Sequence, residues 1–80
     1  MLERSLNEDG RSGVLGLLSP RERQVLRMTS LGLTNMEIAK QLEVTDHAIK
    51  FHLSSIYRKL GVANRTEAVV AYLTSRPAGP

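Results

Sequence analysis

The sequence has no cysteine and no tryptophan, a single phenylalanine, two tyrosines and three prolines in 80 residues. Without cysteine, neither a disulfide framework nor a thiolate metal site can hold so short a chain together, so helix packing, aided by self-association, has to do it. No apolar run approaches the roughly 18 residues of a membrane span, and the charged start Met1-Leu2-Glu3-Arg4 lacks the apolar stretch of a signal peptide. The chain therefore reads as cytoplasmic, with no membrane partner. Its length supports one small core, which excludes a multi-domain enzyme. A Gly-rich phosphate loop, paired catalytic carboxylates and a Ser/His/Asp set are all missing from the sequence, so neither catalysis nor a cofactor is expected. His47 and His52 are five residues apart, about 140° on a helix, and do not converge on a metal as a four-residue spacing would.

What is present is an ordinary globular composition, 41% hydrophobic, with a net charge of +3. That charge is uneven: Arg4 and Arg11 are outnumbered by Glu3, Glu8 and Asp9 at the start, so the basic excess lies further along. A small basic domain suits a polyanionic partner. Residues 1–16, glycine-rich and without a sustained period, read as a flexible linker, with only Val14, Leu15, Leu17 and Leu18 able to dock on a core. Residues 17–76 read as the domain and 77–80 as a disordered tail.

Helix starts punctuate the domain. Ser19-Pro20-Arg21-Glu22 combines a serine cap, proline at the first helical position and a glutamate three residues after the cap, a complete capping box. Thr34 to Glu37 and Asn64 to Glu67 repeat the arrangement, while Thr45-Asp46-His47-Ala48 has only the capping half. Gly32 and Gly61 sit where a left-handed C-terminal residue is needed. The expectation is an all-α, four-helix domain with helices at 20–31, 35–42, 46–60 and 65–75, joined by connections short enough to force immediate packing.

The second and third helices carry the function. Ile38, Leu42, Val44 and Ile49 let two helices joined by a three-residue turn share one core, and Ala39 is small enough for a close crossing: a helix-turn-helix pattern. Glu43 stands at the turn position where glycine would relieve a left-handed backbone. On a helical wheel Ile49, His52, Leu53, Ile56 and Leu60 form the core side of the third helix, with Tyr57 at its edge. His52 is expected there as a packed, hydrogen-bonded histidine. The opposite side carries His47, Lys50, Phe51, Ser54, Ser55 and Arg58, hydrogen-bonding groups around the only phenylalanine. That strip suits a DNA major groove: Phe51 against thymine methyls, Lys50 to guanine or phosphate, Ser54 or His47 to base edges. Arg58, Lys59, Arg65 and Lys40 suit phosphates, which position a protein without reading sequence.

The runs Leu18 to Leu26, Gly32 to Ala39, Ile49-Lys50-Phe51-His52, Lys59-Leu60 and Arg65-Thr66-Glu67-Ala68 closely resemble the LuxR/FixJ-type DNA-binding domain of bacterial transcription regulators, over about residues 17–73. The resemblance implies a tetrahelical helix-turn-helix domain, the response-regulator effector type, that binds double-stranded DNA as a homodimer. It places Lys50, Phe51 and Ser54 toward bases and Thr45, Arg65 and Thr66 near phosphates; Thr34 is counted with the latter. One departure is Ala48, where the family usually has threonine.

In the fourth helix, the six apolar residues from Ala68 to Leu73 surround the helix rather than striping it, so one side packs on the domain and another suits a two-fold partner, with Ala68, Val70, Ala71 and Tyr72 as candidates. Glu22 falls on the apolar side of the first helix, where Arg65 or Lys59 could pair with it, and reads as structural. RNA polymerase is a further candidate partner. Two rival readings stay open: a sigma-factor-like promoter reader, and a regulatory module that docks a protein through the Phe51 face.

Overall fold

A computed structural model describes residues 14–75. The described residues form a short 3-10 turn, Val14–Leu17, and four helices, with no strand among them: α1 Pro20–Ser30, α2 Asn35–Leu42, α3 Asp46–Leu60 and α4 Arg65–Ser75. These match the expected elements to within a residue. Residues 1–13 and the expected tail at 77–80 lie outside the described residues.

Local chemistry sets each boundary. At α1 both halves of the capping box form: the Glu22 N–H donates to Ser19 Oγ (3.1 Å) and the Ser19 N–H to Glu22 Oε1 (2.9 Å). Thr34 and Glu37 do the same at α2, at 3.1 and 2.8 Å. The third box differs from expectation. The Glu67 N–H donates to Asn64 Oδ1 (2.9 Å), but the Glu67 carboxylate accepts from the N–H of Ala63, one residue before the cap (2.8 Å). At α3 the Ala48 N–H donates to Thr45 Oγ1 (3.0 Å).

Three helices end alike. A residue in the left-handed region follows each, Gly32 (φ 92°), Glu43 (φ 60°) and Gly61 (φ 70°). The next N–H then reaches back to a carbonyl of the last turn: Leu33 to Met28 (3.3 Å), Val44 to Ala39 (2.9 Å) and Val62 to Tyr57 (3.0 Å). Glycine adopts this backbone without a Cβ clash; Glu43, at the helix-turn-helix joint, does not.

The core is built from all four helices and the 3-10 turn, with Val25, Leu26, Ile38, Ile49 and Ile56 fully shielded from water. Helix α3 is its axis, packing on α1, α2, α4 and the 3-10 turn. Of the residues ahead of α1 that could dock on the core, Leu15 and Leu18 do so and Leu17 stays exposed. Leu15 is 1% exposed and Leu18 4% exposed. In a 3-10 turn residues three apart eclipse, so these two leucines close the core together.

Relieving the strain at the joint should stabilise the fold. Glu43→Gly is expected to raise unfolding free energy by about 0.5–1 kcal/mol, the left-handed penalty less the added chain entropy of glycine, read as a higher midpoint in urea or thermal unfolding. An unchanged or lower midpoint would mean that the joint carries no relievable strain.

Candidate nucleic-acid interface

Helix α3 is two-sided. Ile49, Leu53 and Ile56 are buried in the core, with Tyr57 and Leu60 packed against it. His47, Lys50, Phe51, Ser54 and Arg58 are exposed on the other side. Phe51 is 71% exposed, the most exposed large apolar side chain of the described residues. Its ring meets His52 edge-on at 6.5 Å between centroids. His47, Lys50, Phe51 and Ser54 together line one shallow depression of the surface. His52 is half-buried rather than a core residue, and among the described residues its imidazole makes no hydrogen bond, so the expected hydrogen-bonded histidine is corrected. Ser55 leaves the outward strip: it is half-buried and turned toward α1.

That turn is imposed by Glu22, the carboxylate that joins α1 to α3. Glu22 is 6% exposed. Its Oε1 accepts from the Ser19 N–H (2.9 Å) and from Lys59 Nζ (2.9 Å), and its Oε2 accepts from Ser55 Oγ (2.8 Å). Ser55 and Lys59 are four residues apart, on one face of α3, so the two bonds fix the roll of that helix against α1. Burial pushes the carboxyl toward the neutral form, but the Ser19 N–H, Lys59 and Ser55 outweigh it and hold the pKa down, from 4.5 to about 2. Of the two partners expected for Glu22, Lys59 is the one it meets. Arg65 instead bridges the α1–α2 connection to the start of α4, donating to the Leu33 carbonyl and to Asn35 Oδ1.

The expected phosphate residues therefore fall into two groups. Lys40, Thr34, Thr45, Arg58 and Thr66 are exposed. The hydroxyls of Thr34 and Thr45 accept backbone N–H groups as helix caps, which leaves each O–H free to donate. Lys59 and Arg65, by contrast, already hold the fold together.

Of the dimer candidates Ala68, Val70, Ala71 and Tyr72, the structure turns Ala68 inward and leaves Val70 exposed. Ala68 is fully buried inside the protomer, Tyr72 packs against the core and Ala71 is half-buried. The outward side of α4 is Val70 (52% exposed) and Leu73 (50% exposed), flanked by Thr66 and Thr74. Six consecutive apolar residues give no clue to which side faces in; packing of α4 on α1, α3 and the 3-10 turn decides it and places Ala68 and Tyr72 on the core. Among the described residues no group of acidic or histidine side chains could hold a metal, and no helix is long and apolar enough to cross a membrane.

Residues 16–72 match the family described as bacterial regulatory proteins, luxR family. The chain belongs to this family. It is a luxR-family helix-turn-helix DNA-binding domain of the kind found in transcription regulators. A Mycobacterium bovis protein named as an HTH-type transcriptional regulator is 46% identical over 54 residues, covering 68% of this chain and 6% of the relative. The two-component response regulator PprB of Pseudomonas aeruginosa is 40% identical over 58 residues, covering 72% of this chain and 21% of that protein. The CsgBAC operon transcriptional regulatory protein of Escherichia coli is 40% identical over 53 residues, covering 66% and 24%. The chain thus spans a minor part of the length of each of these relatives.

The carboxylate at the α1–α3 contact makes a prediction about acid. Because the folded-state pKa is depressed, the stabilisation from Glu22 is complete above about pH 4.5 and is lost as pH falls toward about 2. Glu22→Gln keeps the shape but removes the charge, and should cost about 2–3 kcal/mol at neutral pH, at ~1.36 kcal/mol per pKa unit with a discount for the partly exposed Lys59. The stability curve of the variant should be flatter than wild type below pH 4.5. Parallel curves, measured by urea unfolding across that range, would remove Glu22 as the source of the acid limb.

Proposed function

We propose that this domain reads duplex DNA sequence-specifically in the major groove, as a homodimer, with α3 as the recognition helix. The observation that carries the reading is the outward strip of α3, where His47, Lys50, Phe51 and Ser54 stand together on the side opposite Ile49, Leu53 and Ile56. A helix about 10–12 Å across fits the major groove, where Lys50 suits guanine acceptors, Ser54 and His47 suit base edges, and Phe51 suits thymine methyls. Arg58 and Lys40 supply phosphate contacts, joined by the exposed hydroxyls at the starts of α2, α3 and α4, Thr34, Thr45 and Thr66. Lys59, paired with Glu22, and Arg65, bonded to Leu33 and Asn35, brace that surface as well as adding positive charge to it.

Pairing is assigned to the Val70 and Leu73 side of α4. Two such side chains per protomer bury far less than the roughly 1,200–2,000 Å² of a stable interface. The dimer therefore depends on DNA, with two recognition helices about one duplex turn apart on a two-fold site.

Selection from a random duplex pool, run at about 50 and 200 mM salt, tests this directly. The expected product is a two-fold symmetric site whose affinity falls steeply with salt, because phosphate contacts release counterions. Arg58→Ala should weaken all sequences alike and flatten the log–log salt slope by about one unit. Leu73→Asp should leave half-site contacts but abolish preference for the symmetric site. No enrichment, or binding indifferent to salt, would overturn the reading in favour of a protein-docking role for the Phe51 face.

A further inference from the structure

DNA reading through α3 leaves a second basic surface without a role. Among the described residues the one ion pair is Lys59 with Glu22, which neutralises the single carboxylate of α1 and turns it inward. The outer side of α1 is left with Arg23 and Arg27, four residues apart, and then Leu31 four residues on, at 64% exposure. Like charges at this spacing repel each other and weaken the helix that carries them. Arg23 spends one N–H on the Leu18 carbonyl (3.1 Å); Arg27 is exposed. Beside Arg27 and Leu31, α1 and α2 enclose a groove floored by Met28, Leu33 and Leu42 and rimmed by Arg27, Leu31 and the amides of Gln24 and Gln41; Arg23 stands one turn before Arg27, outside the groove. On a helical wheel these arginines and Leu31 lie away from Glu22, which meets α3, so they face away from the recognition helix.

We propose that this face docks an acidic amphipathic helix of a partner protein. Carboxylates on successive turns of such a helix match the two guanidinium groups, whose planar forks bind carboxylates in a bidentate manner. An apolar side chain between the carboxylates fills the groove beside Leu31, the mode in which an amphipathic helix lays its apolar stripe into a groove. A phosphate backbone would satisfy the arginines but leave the exposed leucine and the apolar floor without a partner, so the surface favours protein over nucleic acid. The inference stands independently of the DNA-reading proposal, because none of its residues belongs to the α3 strip.

The test is an NMR titration of the full 80-residue chain with defined probes. The principal probe is a synthetic helical peptide of about five turns with two leucines four residues apart and glutamates flanking them. Controls are the same peptide with lysines for glutamates, the same with alanines for leucines, and a random-sequence duplex. The glutamate–leucine peptide should shift the amides of Arg27, Leu31 and Gln41, and Arg27→Glu or Leu31→Ser should each weaken it by about tenfold while the amide spectrum stays that of a folded domain. The alanine peptide should bind more weakly and the lysine peptide not at all. The proposal is overturned if millimolar peptide leaves those amides unmoved or if the lysine peptide binds equally. It is also overturned if the duplex alone shifts them, which would make α1 a further phosphate contact.

Discussion

One buried carboxylate joins α1 to the helix that carries the exposed strip. Glu22 closes its own helix cap through Ser19 and at the same time holds Ser55 and Lys59 of α3. An apolar contact constrains distance but allows a helix to roll; two hydrogen bonds to side chains one turn apart fix which side of α3 faces out. Replacing such a pair with well-packed apolar residues is often neutral for stability. Its worth here lies in orientation: Ser55 and Lys59 are held toward α1, and Lys50, Phe51 and Ser54 stand on the exposed side of the same helix.

The rest of the domain supports that orientation from three directions. The Glu43 joint sets the crossing of α2 and α3, and among the described residues the other left-handed positions are glycines, so the strain sits at this joint. Arg65 ties the start of α4 to the α1–α2 connection, bringing the N-terminal ends of α2 and α4 toward each other. Leu15 and Leu18 seal the remaining side of the core. A domain this small has few layers to spare, and every helix contributes to holding one of them, α3, in place.

Much of this was legible in the chain because the signals were local. Capping boxes, glycines after helices and the period of α3 each act within four residues, and they located all four helices. The outward strip of α3 followed from the same period. What escaped were features decided by contacts distant in sequence. Ser55 looked solvent-facing on the wheel, and only Glu22, 33 residues away, draws it inward. Lys59 and Arg65 carried the same charge as Arg58, and nothing local distinguishes a cation that binds the fold from one that faces solvent. The uniformly apolar stretch of α4 hid its inner face until packing placed Ala68 and Tyr72 there.

The central claim is that the exposed side of α3 reads bases, and Phe51 is where it can be tested most directly. Once a binding site has been selected, each thymine in it can be replaced by uracil, which removes only the C5 methyl group, and affinity measured for the wild-type chain and for Phe51→Ala. The account predicts one thymine per half-site whose methyl is worth about fourfold in wild-type affinity, the weight of a buried methyl at ~0.8 kcal/mol, and worth nothing once Phe51 is gone. If every uracil substitution has the same effect on both proteins, Phe51 does not touch a base, and the assignment of α3 as the reader through this strip is wrong.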